Sequence, residues 1–202
     1  MRISERFGCT HFPCTDVRHE RYTLPDIDLD PARVSIFLIS ESAAAQPGDD
    51  YYAPGCPLFA QTSVQAFNDA GAPVGSLQEV LDLGVYLTTA VKCAKAGYGI
   101  KAGTIENCSR LLEQELDQFP NVKAFLLMGD VAIKSINSIA KQAGEPRVIP
   151  AGSTYKIRDK EYTFRGRRAF PSYLQAGPAF FIEKSKRRMI AEDIAAALHL
   201  IV

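Results

Sequence analysis

Three apolar runs, each followed by an amphipathic stretch, set the rhythm of this chain. Val34–Ile39 (VSIFLI), Val85–Val91 (VYLTTAV) and Lys123–Met128 (KAFLLM) carry β-branched and aromatic residues with little polar alternation. That is the composition of parallel strands covered on both faces. Helical spacing predicts helices over Thr62–Ala70, Ser76–Leu81, Thr104 to about Phe119, Gly129-Asp130 to about Ala143, and Ile182–Leu200. The third of these has Thr104 as a plausible N-cap and Ile105, Cys108, Leu112 and Leu116 on one stripe. STYKIRDKEYTFRG predicts a hairpin turning at Arg158-Asp159-Lys160, with Tyr155, Ile157, Tyr162 and Phe164 on its ladders. Arg168–Tyr173 reads as the last strand, which Pro171 should end. Residues 1–32 are polar and punctuated by proline, and are expected to form an N-terminal arm outside the core.

This order predicts one α/β domain over residues 1–202, a three-layer α/β/α sandwich around a central, mostly parallel four-stranded sheet. Ligands of open α/β sheets collect at the carboxyl ends of the strands, so the loops after Ile39, Val91, Met128 and Phe170 should meet at one rim. The organising stretch is Gly84–Cys108, where a buried strand breaks into a Gly-rich, Lys-bearing loop bracketed by Cys93 and Cys108. Glu41 stands just past the first strand, at the expected crevice; a solvated loop carboxylate is the alternative reading.

Composition narrows the class. With 202 residues and 47% of them apolar, the chain suits one well-filled core. No apolar run is long enough to cross a bilayer, and MRISERFGCT lacks the apolar segment of a secretory signal, so a cytoplasmic monomer without membrane attachment is expected. The formal charge is zero but unevenly spread: Lys156 to Arg188 holds ten basic and three acidic residues. Such a face suits a polyanion, although an ordinary solvated surface is the commoner cause. Five cysteines without a signal peptide leave metal binding, catalysis or simple burial, and the two spaced pairs Cys9/Cys14 and Cys93/Cys108 suit zinc or an iron–sulfur cluster.

Five segments, in order, resemble the uracil-DNA glycosylase superfamily, most closely its iron–sulfur branch, family 4. Ser40-Glu41-Ser42-Ala43-Ala44 stands where that group has Gly-Glu-Ala-Pro-Gly, and Gly55-Cys56-Pro57-Leu58-Phe59 resembles its Gly-x-Pro-Phe-Val. YLTTAVKC (Tyr86 to Cys93) resembles Tyr-Ile-Thr-Asn-Val-Val-Lys-Cys; LLMGDVAIKSI resembles the strand–Gly–helix that follows. The hairpin, FPSYLQ and KSKRRMIAEDI resemble the closing hairpin, the His-Pro-Ser motif and the terminal helix.

The resemblance implies a base-excision-repair hydrolase that flips uracil or another deaminated base out of DNA and cuts its N-glycosidic bond. It implies Glu41 as the catalytic carboxylate, with Asp49 and Asp50 as second candidates on the same loop. Ser42, Leu58, Phe59, Thr89 and Phe170 are implied to surround the base, Thr89 standing in the place of an asparagine and Phe170 in that of a histidine. Ser172, Leu174 and Gln175 are implied to meet the duplex, with Leu174 as wedge. Lys184, Lys186, Arg187 and Arg188 would hold phosphates, a solvated helix face being the alternative. Cys9, Cys14, Cys93 and Cys108 are implied ligands of a [4Fe-4S] cluster, with zinc as the other metal and Cys56 as a possible replacement for an arm cysteine. The competing functions are a non-catalytic binder of DNA lesions, which Thr89 and Phe170 suggest, and a nucleoside hydrolase.

Overall fold

The computed structural model describes residues 2–201. In chain order its strands and helices are β1 (Val17–Arg18), β2 (Ile36–Ala43), α1 (Leu58–Asp69), α2 (Leu77–Asp82), β3 (Val85–Lys95), α3 (Ala102–Leu116), β4 (Ala124–Met128), α4 (Asp130–Gln142), α5 (Thr154–Ile157), β5 (Tyr162–Phe164), β6 (Arg167–Ser172), α6 (Ala179–Ile182) and α7 (Lys184–Leu198). They form one mixed six-stranded sheet in the order β1-β3-β2-β4-β6-β5. The α/β class predicted from the sequence holds, but the sheet has two strands more than expected. The four central strands are parallel; β1 and β5 add antiparallel edges.

Strand alternation divides the core. Phe37, Ile39, Tyr86 and Phe125 face α3 and α4, while Ile36, Leu38, Leu87 and Leu126 face α1, α2 and α7. Each of these large side chains is fully buried, a contribution of roughly 1.5–3 kcal/mol apiece in apolar transfer.

Several local expectations are corrected. The closing hairpin turns at Arg165-Gly166 rather than at Arg158-Asp159-Lys160, and Thr154–Ile157 is a helical turn, not a strand. Both turn residues have positive φ, +50° and +73°, the backbone of a two-residue hairpin turn. Pro171 does not end β6. The Arg168 amide and the Ser172 carbonyl bond toward β4, so the odd positions point the other way, where β5 pairs only as far as Ala169. A proline nitrogen at 171 therefore costs no ladder bond. Helix α3 begins at Ala102, and Thr104 instead bonds Asp16. The arm is partly core: Ile3 and Val17 are buried, and Val17–Arg18 pairs with the end of β3.

Candidate functional site

The parallel strands end together at one rim, and Glu41, the sixth residue of β2, sits there. Its side chain is 15% exposed, and Oε2 accepts a 2.6 Å hydrogen bond from Nζ of Lys95 at the end of β3. Oε1 accepts nothing from the described residues. The carboxylate packs over Gly129, where a Cβ would lie 2.8 Å from the Glu41 Cγ; φ there is +102°, so glycine answers both demands. Glu41, Ser42, Lys95, Phe59 and Leu174 line a crevice of about 210 Å³, closed on one side by Gly177 and Pro178.

A second cleft, about 290 Å³, lies beyond the loop 44–50, floored by Thr88 and Thr89 and walled by Asp50, Tyr51, Tyr52 and the arm residues from Arg21 to Asp26. The loop is the partition. Asp50 Oδ1 accepts the Ala44 amide at 2.7 Å and Oδ2 accepts Arg21 Nη2 at 3.3 Å, while Arg21 also donates to the carbonyls of Ala44 and Ala45. Burial pushes the Asp50 carboxyl above its ordinary value, against the lowering pull of the Ala44 amide and Arg21. Tyr51 lines the second cleft and packs on Phe59, which lines the first, with ring centroids 5.3 Å apart. Its phenol, buried and pushed up to about 12, accepts Gln175 Nε2 at 2.7 Å.

The residues named from the sequence therefore do not form one group. Glu41, Ser42, Phe59 and Leu174 meet in the crevice; Asp50 and Thr89 lie across the partition. Leu58 opens α1 and lines neither cavity. Phe170 is not at the rim: it pairs with Leu126 in mid-sheet and is buried beneath Arg168, whose guanidinium lies 4.8 Å from its ring. Ser172 does not face phosphate, because its buried hydroxyl donates to Asp193 Oδ2 at 2.5 Å. Gln175 is buried with Tyr51 and Ser63, away from solvent. Leu174 lines the crevice and packs on the core instead of projecting as a wedge. In the basic cluster Arg187 is tied to Asp69, Lys186 to Glu183 and Arg188 lies 3.8 Å from Glu192, so much of its charge is met locally. Exposed cations such as these keep only a weak hold on their partners in water.

Cys93 and Cys108 are buried in one core cluster with Cys14 packed against it, Cys9 is half-buried, and Cys56 stays exposed ahead of α1. Burial pushes the Cys93 thiol up to about 12, and the charges of Cys108, Cys9 and Cys14 push the same way. Burial raises Cys108 too, with Cys14 and Cys9 adding to it against the Lys92 amide and charge. Among the described residues no three His, Cys, Asp or Glu side chains stand where they would hold one ion. The donor set nevertheless fits a thiolate-preferring centre in kind: burial raises the Cys93 and Cys108 thiols, and a bound metal would bring the countercharge that their thiolates need.

Sequence reasoning missed the buried charges beneath this region. Lys92 Nζ, with no exposure, contacts Glu115 Oε2 at 2.5 Å, Thr88 Oγ1 at 2.8 Å and the Thr89 carbonyl at 2.7 Å. Glu115 Oε1 accepts the hydroxyls of Tyr86 and Thr88, both at 2.8 Å. The one visible signal was a lysine inside an otherwise apolar strand. Lys95 and Arg21 gave none, because their partners are distant in sequence.

Compared with known proteins, the sequence matches a family model described as the uracil DNA glycosylase superfamily over residues 28–190. No curated protein matches it.

Proposed function

The chain belongs to the uracil DNA glycosylase superfamily, and from that premise we propose that it hydrolyses the N-glycosidic bond of uracil or another deaminated base in DNA, at the Glu41 crevice. One observation supports this choice: Glu41 is the carboxylate that lines the crevice, with one oxygen open and the other fixed by Lys95. The crevice is smaller than the roughly 300–1,000 Å³ of drug-sized sites, in keeping with a single base.

A base inside a duplex is out of reach, so it is flipped first, at a cost of a few kcal/mol. In this reading the flipped base lies against Phe59, opposite Leu174. As the bond from C1′ to the base nitrogen breaks, its electron pair leaves with the base and the sugar becomes cationic. Glu41 stabilises that cation and orients water toward C1′; the new C1′–O bond forms as the water proton passes to the carboxylate. Lys95 holds the carboxylate in place. Ser42 and the Ala45 amide, on the crevice wall, are the donors this reading assigns to the departing base. Lys184 and Arg188, exposed at the start of α7, would meet phosphates.

Cys9, Cys14, Cys93 and Cys108 would hold a [4Fe-4S] cluster, or a zinc ion, whose part when bound is to staple the arm to β3 and α3.

The test is base release from oligonucleotides carrying uracil, hypoxanthine or xanthine, single- and double-stranded, with Glu41→Gln as control. Release by the wild type and its loss in the variant support the reading. DNA binding without release of any base would overturn it in favour of a lesion binder, and turnover of free deoxyuridine in favour of a nucleoside hydrolase.

A further inference from the structure

We infer that the buried Lys92–Glu115 pair is a positioning device for the Glu41–Lys95 pair, acting through a bulge in β3. The inference rests on the glycosylase reading for its kinetic readout alone.

The ladder between β2 and β3 runs in step from Ile36↔Val85 to Ser42↔Val91, and then jumps to Ala43↔Ala94. Lys92 and Cys93 are the two extra residues. In step, Ala43 would face Lys92, and Lys95 would lie two positions further along β3, about 7 Å at the strand rise. The bulge takes up that length and brings Lys95 within 2.6 Å of Glu41. Bulges beside functional sites re-aim side chains in this way.

Such an insertion needs a lock, and Lys92 supplies it. Its chain turns back along the strand to the Thr89 carbonyl and the Thr88 hydroxyl, and its charge is met by Glu115 from α3. The chain is thus fixed on the near side of the bulge to a helix that also carries Cys108. Stability does not call for charges there: apolar groups of similar volume usually serve a buried pair's place as well or better, whereas removing one partner alone is costly. A role in placing the residues that follow does call for a directional tie. Cys93 lies in the same bulge, so one lock aims a thiol at the cysteine group and an ammonium at the rim carboxylate.

The test replaces the whole network with apolar groups: Tyr86→Phe, Thr88→Val, Lys92→Met and Glu115→Leu together. The expected result is a folded protein whose kcat for base release falls roughly 10- to 100-fold, the range for a misplaced catalytic group, with KM and affinity for undamaged DNA unchanged. Adding Lys95→Met to that variant should cost little more, although Lys95→Met alone lowers kcat in the wild type. Independent penalties that multiply, or an unchanged kcat, overturn the inference. Should the fourfold variant not fold, Glu115→Gln takes its place in the same cycle with the same two outcomes. A readout without catalysis separates this inference from the glycosylase reading. In the wild type, NMR of the Lys95 ammonium should show protons slowed by the Glu41 contact, and that protection should vanish in the variant. Protection that persists overturns the inference whether or not any base is released.

Discussion

Glu41 and Asp50 are both acidic, both near the rim and nine residues apart, yet the fold treats them oppositely. Glu41 has one oxygen held by Lys95 and the other open to a crevice. Asp50 has both oxygens occupied, one by the Ala44 amide and one by Arg21, so it serves as the strut of the loop that separates the two cavities. On the proposed reading, what distinguishes the reactive carboxylate from the structural one is unfilled acceptor capacity: each Asp50 oxygen already accepts one protein donor, whereas Oε1 of Glu41 keeps its whole acceptor capacity for water.

The strongest test of the contrast is Glu41→Gln against Asp50→Asn. The first should lower base release by about 10²–10⁴-fold, the usual worth of a positioned base, and leave the thermal midpoint near that of the wild type. The second should cost about 1–3 kcal/mol of stability, through a weakened acceptor for a charged partner, with a much smaller effect on kcat. Base-release kinetics and thermal melts on the two variants decide it; a larger kcat loss in Asp50→Asn would move the chemistry across the partition.

The sequence made the scaffold legible where one rule dominated. The apolar runs at 34–39, 85–91 and 123–128 became the parallel strands β2, β3 and β4, because continuous burial leaves a plain mark. The position of Glu41 at the rim was legible because it stands just past such a run, near the end of β2. Tyr155 and Ile157 misled because alternation over so few residues also suits a single helical turn, which buries Ile157 alone. The turn signal lay instead in Arg165-Gly166, between Phe164 and Arg167. Ser172 and Gln175 looked like surface groups because their partners, Asp193 and Tyr51, are 21 and 124 residues away. Thr89 and Asp50 were read as sharing a pocket with Glu41, since nothing in a linear chain shows that Arg21 folds across to pin a loop between them.

A middle-sized effect sharpens the contrast between the cavities themselves. Phe59→Ala removes the aromatic wall of the Glu41 crevice, and should weaken productive binding by about 1–3 kcal/mol, the worth of one base stacked on a ring. Thr89→Val keeps the shape of the other cleft and removes its hydroxyl. With the base on the Phe59 side, this change should leave KM and base preference alone. If Thr89→Val shifts the preference among uracil, hypoxanthine and xanthine while Phe59→Ala does not, the base occupies the second cleft.

The smallest effect is a pH dependence of the strut. Burial holds the Asp50 carboxyl above its unfolded value, so the folded state binds the proton more tightly than the unfolded one does. The stability linked to that proton is fully present below the unfolded value, near 4, and is lost as pH rises through the folded value. Asparagine at 50 cannot ionise and shows no such loss. The wild type's lead over Asp50→Asn in thermal midpoint should therefore narrow as pH rises from about 4 toward neutrality, the charge–amide and charge–guanidinium bonds retaining part of the lead at the upper end. A lead that widens over that range would mean that Arg21 and the Ala44 amide outweigh burial, and that Asp50 is a strut because of its charge and not in spite of it.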